Sequence, residues 1–429
     1  MPYTPVKVVE VEIWGDTVGA ITLDPGSGYY AFEYDPKWVR GGFELSPLRM
    51  PLRSGPYVFA TLPDKTFLRL PAMLADAVPD KFGNALIDAY MAANGVKADA
   101  ITPLDRLAYI GRRGMGALEF KPPRGPTADT ATTYDIGDLV REARSALTGS
   151  FGTASDATAS VRHLIEVGTS AGGARAKAVI AWNRDTGEIR GGQMDAPDGF
   201  EHWLIKLDGV GVDQQLGTTG NYGRVEYAYH LMARAAGIDM TDCELIAEGG
   251  RAHFTTRRFD RVAGEKVHAQ TLCGIAHLDF SQIAVHDYSQ YLQTVQQLEL
   301  GADVEQQAFR RIVFNVAAAN CDDHTKNFSF LRSRGGQWEL APAYDITHAF
   351  SPTGAWTFQH LMSVNGKFTD ITRADLIDVA DRHQIVDAVN VIKDVNAAID
   401  SWTQHANAAE VPSDTQAAIA ADLTAFKIR

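Results

Sequence analysis

Polar and apolar positions alternate from the seventh residue onwards. VKVVEVEIW, AITL and YYAFEYD, within residues 7–33, are broken by Gly and by Asp-Pro-Gly, which predicts a small β-rich opening module of half-buried strands. Residues 72–94 change to a helical pattern. KPPRGPTADTATT, 121–133, is rich in Pro and Thr, as linkers and exposed loops are, so a boundary is expected near 125. From 160 to 262 short strands (KAVIAW, GEIRGG, HWLIKL, CELIAE, RAHFTTRRFD) surround one helix, RVEYAYHLMARAAG. After about 265 the pattern turns helical. A strand-rich lobe followed by a helical one predicts an α+β chain in three parts: a β-rich subdomain over 1–125, a strand-rich lobe over 126–262 and a helical lobe over 263–429.

The helical part contains an unusual junction. In DVEQQAFRRIVFNVAAAN, Phe309, Ile312, Val313 and Val316 recur at helical spacing, so one face is buried. NCDDHTKN, 320–327, follows directly. Asn- and Asp-rich stretches are most often turn formers, and this one has to be weighed with what comes next. FSFL (328–331) and WEL (338–340) flank RSRGGQ, the pattern of a hairpin, and APAYDIT then brings Asp345. Protein kinases order their catalytic parts this way: a helix, a loop with an Asp and an Asn five residues on, a hairpin, and a further Asp. Phosphoryl transfer needs a carboxylate to orient the attacking hydroxyl and accept its proton, and hard oxygens to hold magnesium against the phosphates. Asp322, Asn327 and Asp345 supply both. The expected fold is therefore two-lobed and protein-kinase-like, with an extra N-terminal β-rich subdomain.

GTSAGGARAKAVIAW, 168–182, is the second informative stretch. Gly168, Gly172 and Gly173 let backbone amides approach an anion, as in a phosphate cradle, although glycine turns between strands are common. Walker-A and GxGxxG spacings are both absent from it, which removes ordinary NTPase and dehydrogenase readings. Lys206 has apolar neighbours Leu204, Ile205 and Leu207, where an ammonium suits nucleotide phosphates or snorkels from a strand edge. Glu226, on the following helix, either pairs with Lys206 as the helix glutamate does in protein kinases or is an exposed helix residue. RRFDR, 257–261, lies at the passage from strands to helices, where a kinase presents backbone to adenine.

Composition narrows the alternatives. A length of 429 residues implies two or three subdomains, and 45% hydrophobic with 22% charged residues is a globular balance. No 18-residue apolar run and no signal-peptide pattern is present, so a cytosolic protein is expected. A net charge of −13 argues against direct wrapping of nucleic acid, leaving any DNA contact to a partner. Cys243, Cys273 and Cys321 are too far apart for a zinc knuckle and odd in number, which predicts buried thiols. Cys321 and His324 lack further ligands for a metal site, and the twelve histidines form no HExxH.

The same residues resemble a known family, the HipA-type serine/threonine kinase toxins of bacterial type II toxin–antitoxin modules. The likeness spans VEIWGDTVGAITL, FEYDPKW, FELSPLRMPL, LPDKFGN, TSAGGARAK, IKL, RRFDR, NCDDHTKN and LAPAYDIT. It implies ATP and magnesium as cofactors, Asp322 as catalytic base, and Asn327 and Asp345 as metal ligands. For ATP it implies the loop Gly172, Gly173, Ala174, Arg175, Ala176 and Lys177, then Lys206. Arg257 and Phe259 of RRFDR, and His324, Lys326, Asn327, Tyr344 and Asp345 of the two later motifs, complete the implied ATP site. Ser170 falls where the family has an autophosphorylated serine; a phosphate there would add about −1.5 to −2 charge beside the nucleotide's own. The resemblance further implies phosphorylation of an aminoacyl-tRNA synthetase and a helix-turn-helix antitoxin of the HipB type that carries the complex to operator DNA. NCDD and YDI replace the HRD and DFG of ordinary protein kinases. Two alternatives stay open: an inactive kinase-like corepressor, and a kinase of a small molecule or lipid.

Overall fold

Alternation at the start of the chain becomes an antiparallel sheet because its two faces meet different surroundings. β1 (Val8–Ile13), β2 (Asp16–Leu23), β3 (Tyr30–Tyr34) and β4 (Leu118–Lys121) stand in the order β3-β2-β1-β4. Val9, Val11, Ile13, Val18, Ile21 and Phe32 turn inward and are fully buried. Gly19 is required where β2 meets β3, since a Cβ there would lie 2.2 Å from the Glu33 carbonyl oxygen. The computed structural model describes residues 3–79, 81–125, 133–148, 176–193, 195–210 and 221–429.

The chain divides into two units. The first comprises Met1–Gly211, Arg257–Gln270 and Arg332–Gly336. Besides the opening sheet it holds an antiparallel ribbon of β5 (Lys177–Trp182), β6 (Ile189–Gly191) and β7 (Glu201–Lys206), with β5 in the middle. The helical pattern at 72–94 is realised as two pieces, Ala72–Ala75 and Lys81–Ala93. Pro79 explains the break: it has no amide hydrogen to donate and disfavours helical backbone at Val78. Of the Pro- and Thr-rich stretch, Arg124 still donates its amide to Ala108 O at 2.7 Å; residues 126–132 lie outside the described ones.

The second unit comprises Val212–Thr256, Thr271–Leu331 and Gln337–Arg429. It opens with the helix Tyr222–Ala235 and the hairpin β8 (Cys243–Glu248) and β9 (Arg251–Arg257). Gly223 lets that helix approach β9, because a Cβ would stand 2.1 Å from Ala252 O. The core is helical, with Tyr229, Tyr288, Tyr291, Phe309 and Phe314 fully buried. Helix Ala302–Ala317 stops short of the predicted 320. Its end is a Schellman arrangement: Ala319 has φ +51° and Asn320 N donates to Asn315 O at 3.0 Å. The predicted hairpin strands are Ser329–Arg332 and Trp338–Leu340, neighbours in a sheet. All three cysteines are buried thiols outside any disulfide, as expected. Among the described residues no helix is long and apolar enough to cross a membrane.

RRFDR proves to contain a buried ionic lock within the first unit. Arg258 makes a bidentate pair with Asp260, at 2.8 and 2.7 Å, and Asp260 also accepts from Gly116 N at 2.7 Å and from Arg261 at 3.0 Å. Arg261 in turn donates to the carbonyls of Gly114 and Gly116. Burial alone would raise the Asp260 carboxyl, but the two guanidiniums outweigh it and hold the group far below the usual carboxylate range. Asp260→Ala would leave two buried cations without their anion. Urea denaturation at neutral pH should show a loss of roughly 3–5 kcal/mol, and an unchanged midpoint would refute the lock.

Candidate active site

NCDDHTKN emerges from the Schellman end of helix Ala302–Ala317, so its residues leave the helix axis immediately. The two adjacent aspartates then meet opposite environments. Asp323 is fully buried. Its carboxylate accepts from the Tyr288 hydroxyl at 2.7 Å, from His360 Nδ1 at 2.9 Å and from the Leu361 amide at 2.7 Å. Behind Tyr288 stands Asn315, which donates to the tyrosine oxygen at 3.1 Å and accepts from Asn320 at 2.9 Å. Burial would depress the His360 imidazole, but the Asp323 carboxylate and the Cys321 sulfur, 3.9 Å from Nε2, outweigh it and raise the group to about 10.

Asp322 keeps 39% of its side chain exposed. Its Oδ1 accepts from the Trp356 indole N–H at 2.7 Å, with His324 Nε2 at 3.9 Å. Asn327 is fixed to the same residue: after a single turn, Thr325–Asn327, its Nδ2 donates to the Asp322 backbone carbonyl at 2.7 Å. That bond assigns the amide's orientation and leaves Asn327 Oδ1 as an acceptor. Asp345 is half-buried and has φ +55°, a left-handed conformation that Asp tolerates better than most residues. Thr325, buried beneath the loop, donates its hydroxyl to Leu278 O at 2.7 Å.

The remaining predicted residues divide. His324 lies between two rings, tilted at 5.3 Å from Phe280 and edge-on at 6.4 Å from Trp356, and the Lys326 ammonium lies 4.7 Å above the Phe280 ring. The Tyr344 hydroxyl is used by the loop itself, donating to Lys326 O at 2.7 Å and contacting Ser329. In the first unit Lys177 stands opposite Lys206 in the β5–β7 register; Lys177 is 5% exposed and Lys206 half-buried. Ala176 is buried beside them, its carbonyl accepting from Leu207 N at 2.9 Å. Arg257 is exposed and pairs with Glu201 at 3.2 Å, while Phe259 is half-buried. Glu226 is only 2% exposed, so the reading of it as an exposed helix residue is corrected. Gly172, Gly173, Ala174, Arg175 and Ser170 lie outside the described residues.

Sequence reasoning passed over Asp323, Tyr288, Asn315, Trp356 and His360. Of these, only the doubled aspartate in NCDDHTKN carried a signal: two adjacent carboxylates rarely do one job. The donor set also bears on a cation. Among the described residues no group of three or more His, Cys, Asp or Glu side chains could hold a metal. A cation here would rest on one amide oxygen, one carboxylate, and phosphate and water oxygens, a shell that suits magnesium.

Comparison with known proteins places the chain in a family. Residues 169–409 match the family model of the HipA-like C-terminal domain, and residues 9–121 match that of the HipA N-terminal domain. A Haemophilus influenzae protein named "Putative kinase" is 27% identical over 136 residues, 28% of this chain and 39% of that protein. The chain thus spans about two fifths of the length of this curated relative. A solved structure of HipA from the toxin–antitoxin system of Shewanella oneidensis MR-1, in complex with HipB and its operator DNA, superposes with a TM-score of 0.66 at 15% identity, covering 98% of this chain and 96% of that one. The likeness shows the fold, α+β and kinase-like with an added N-terminal β-rich part.

The His360–Asp323 pair makes a pH prediction. The imidazole is raised from its ordinary 6.5 to about 10 in the folded chain, so its contribution to stability is full below pH 6.5 and is lost as pH rises through about 10. His360→Gln should be less stable at neutral pH and should lose less stability than the wild type between those limits. Urea midpoints measured across the range test this; parallel curves would show that the histidine is not charged in the fold.

Proposed function

The chain belongs to the HipA family, and we propose that it is an ATP-dependent serine/threonine protein kinase acting as the growth-inhibiting toxin of a toxin–antitoxin pair. Its acceptor would be a seryl hydroxyl on an aminoacyl-tRNA synthetase, and a HipB-type antitoxin would restrain it and carry it to operator DNA. The observation that carries this reading is Asp322: a solvent-accessible carboxylate, oriented by an indole N–H, whose backbone carbonyl fixes Asn327 five residues on.

On this reading Asp322 orients the acceptor hydroxyl and takes its proton as the oxygen attacks the γ-phosphorus of ATP, whose bond to the β–γ bridging oxygen breaks to release ADP. Asn327 Oδ1 and the Asp345 carboxylate would hold magnesium, which when bound neutralises charge on the phosphate oxygens. Lys177 and Lys206, opposite each other in register, present two ammonium groups on one face of the ribbon, a suitable place for the triphosphate. Ser170 remains the proposed autophosphorylation site, with loss of ATP affinity as its effect. A corepressor without activity would have no use for an Asp322 held ready in this way.

Purified chain, ATP, magnesium and glutamyl-tRNA synthetase should yield phosphoserine on the synthetase, read by mass spectrometry. ATP consumption without labelled protein would point to a small-molecule or lipid acceptor, and no ATP consumption to the corepressor. Asp322→Ala should lower the rate by about 100-fold or more with the fold intact. Asp345→Asn should weaken magnesium-dependent ATP binding, and Lys206→Ala should raise the Kd for ATP by roughly tenfold. Wild-type rates in Asp322→Ala, or an unchanged calorimetric titration in Lys206→Ala, would remove those assignments.

A further inference from the structure

Trp356 sits in the stretch 351–361 that follows Asp345, and it is tied to the catalytic loop at a chemically sensitive atom. Its indole N–H donates to Asp322 Oδ1 at 2.7 Å. The same stretch is fastened again four and five residues later, where His360 Nδ1 and the Leu361 amide donate to Asp323 at 2.9 and 2.7 Å. Within it Ser351 N donates to Thr357 O at 3.1 Å, closing a turn around Trp356. The indole ring meets the His324 ring edge-on at 6.4 Å between centroids, and His324 lies tilted against Phe280 at 5.3 Å.

A carboxylate on a half-exposed loop residue rotates freely about its Cα–Cβ and Cβ–Cγ bonds unless something holds one oxygen. Water can satisfy it equally well in several rotamers, and most of those aim the carboxylate away from an acceptor. A hydrogen bond from a ring N–H to an ionised oxygen is charge-assisted and directional, and a bulky ring wedged against His324 costs little entropy to keep in place. Phe, Leu or Met would fill the same volume without the donor.

We infer that Trp356 is a positioning residue for phosphoryl transfer: it holds Asp322 by Oδ1 so that Oδ2 faces the acceptor hydroxyl. The inference rests on the reading of Asp322 as the base. It goes further in assigning the stretch after Asp345 a direct part in aiming that base, through one N–H. It also gives the two adjacent aspartates complementary tasks towards one segment, Asp323 anchoring it and Asp322 being oriented by it.

The test separates loss of the donor from loss of the ring. Trp356→Phe keeps an aromatic side chain, and incorporation of benzothienylalanine at 356 keeps the bicyclic shape while replacing N–H by sulfur. Both should lower kcat by roughly 10- to 100-fold and leave KM for ATP and the thermal midpoint near wild type. Trp356→His, which retains a ring N–H, should recover part of the loss relative to Trp356→Phe. If the benzothienyl protein turns over like wild type, or if its KM for ATP and its thermal midpoint change along with kcat, the inference is wrong. Asp322→Ala assayed alongside distinguishes the two failures: an active Asp322→Ala overturns the base assignment, whereas an inactive one beside a fully active benzothienyl protein overturns only the role of Trp356.

Discussion

Burying the carboxylate of Asp323 is the constraint on which the site depends. An ionised group without water costs several kcal/mol unless donors replace its hydration. Here the replacement comes from three donors on two separated segments: the Tyr288 hydroxyl on helix Tyr288–Gln297, and His360 Nδ1 with the Leu361 amide. Because Tyr288 is itself held by Asn315, and Asn315 by Asn320, satisfying one carboxylate draws two helices, the NCDDHTKN loop and the stretch 356–361 into a single network. Networks of this kind are unforgiving, since removing one member leaves the others buried and unpaired. The residue just before Asp323, Asp322, is the candidate base, and a rigid neighbour suits such a role.

Asp322 inherits its position from that anchor. With Asp323 directed inward, chain geometry sends its neighbour the other way, to a side chain that is 39% exposed. Asn327 then returns to the Asp322 carbonyl through a single turn, so the candidate base and the candidate ligand are spaced by the backbone and held by one hydrogen bond donated by the Asn327 side-chain amide. The spacing of five is thus a geometrical consequence of the turn Thr325–Asn327. Phe280, His324, Lys326 and Trp356 lie against one another beside this turn.

What could be read in the sequence follows the range of the interactions. β1 to β3, the ribbon, the helix Tyr222–Ala235 and the hairpin after NCDDHTKN were legible, because alternation and helical period are local signals. The break at Pro79 and the early end of helix Ala302–Ala317 were not. The second is decided by partners far along the chain: the Tyr229 hydroxyl takes Ala318 O at 2.8 Å, and Ala349 N takes Ala319 O at 3.1 Å. In the site, Asp322, Asn327 and Asp345 were legible as a spacing. Trp356 and His360 were not, because an isolated Trp or His carries no pattern until the fold brings it to a carboxylate. RRFDR was placed by position, yet the residues it buries are Arg258 and Asp260, whereas Arg257 is exposed and Phe259 half-buried.

Asp345 shows how the second unit holds a costly backbone where chemistry would use it. A left-handed conformation costs a residue other than glycine roughly 1–2 kcal/mol, and it persists only when the flanks leave no alternative. Those flanks are fixed on both sides. Ala343 N donates to Asp239 O at 2.8 Å and Ala343 forms an isolated parallel bridge with Met240, while Ala349 N donates to Ala319 O. Between the two anchors lie Tyr344, whose hydroxyl is spent on Lys326 O, and Ile346, whose side chain is buried. Asp345 takes its left-handed backbone within that interval, and Asp is among the few residues that tolerate it while carrying a charge. The same anchors that force the strain therefore fix where the Asp345 carboxylate begins, and one of them, Ala319, is the left-handed residue that releases NCDDHTKN from its helix.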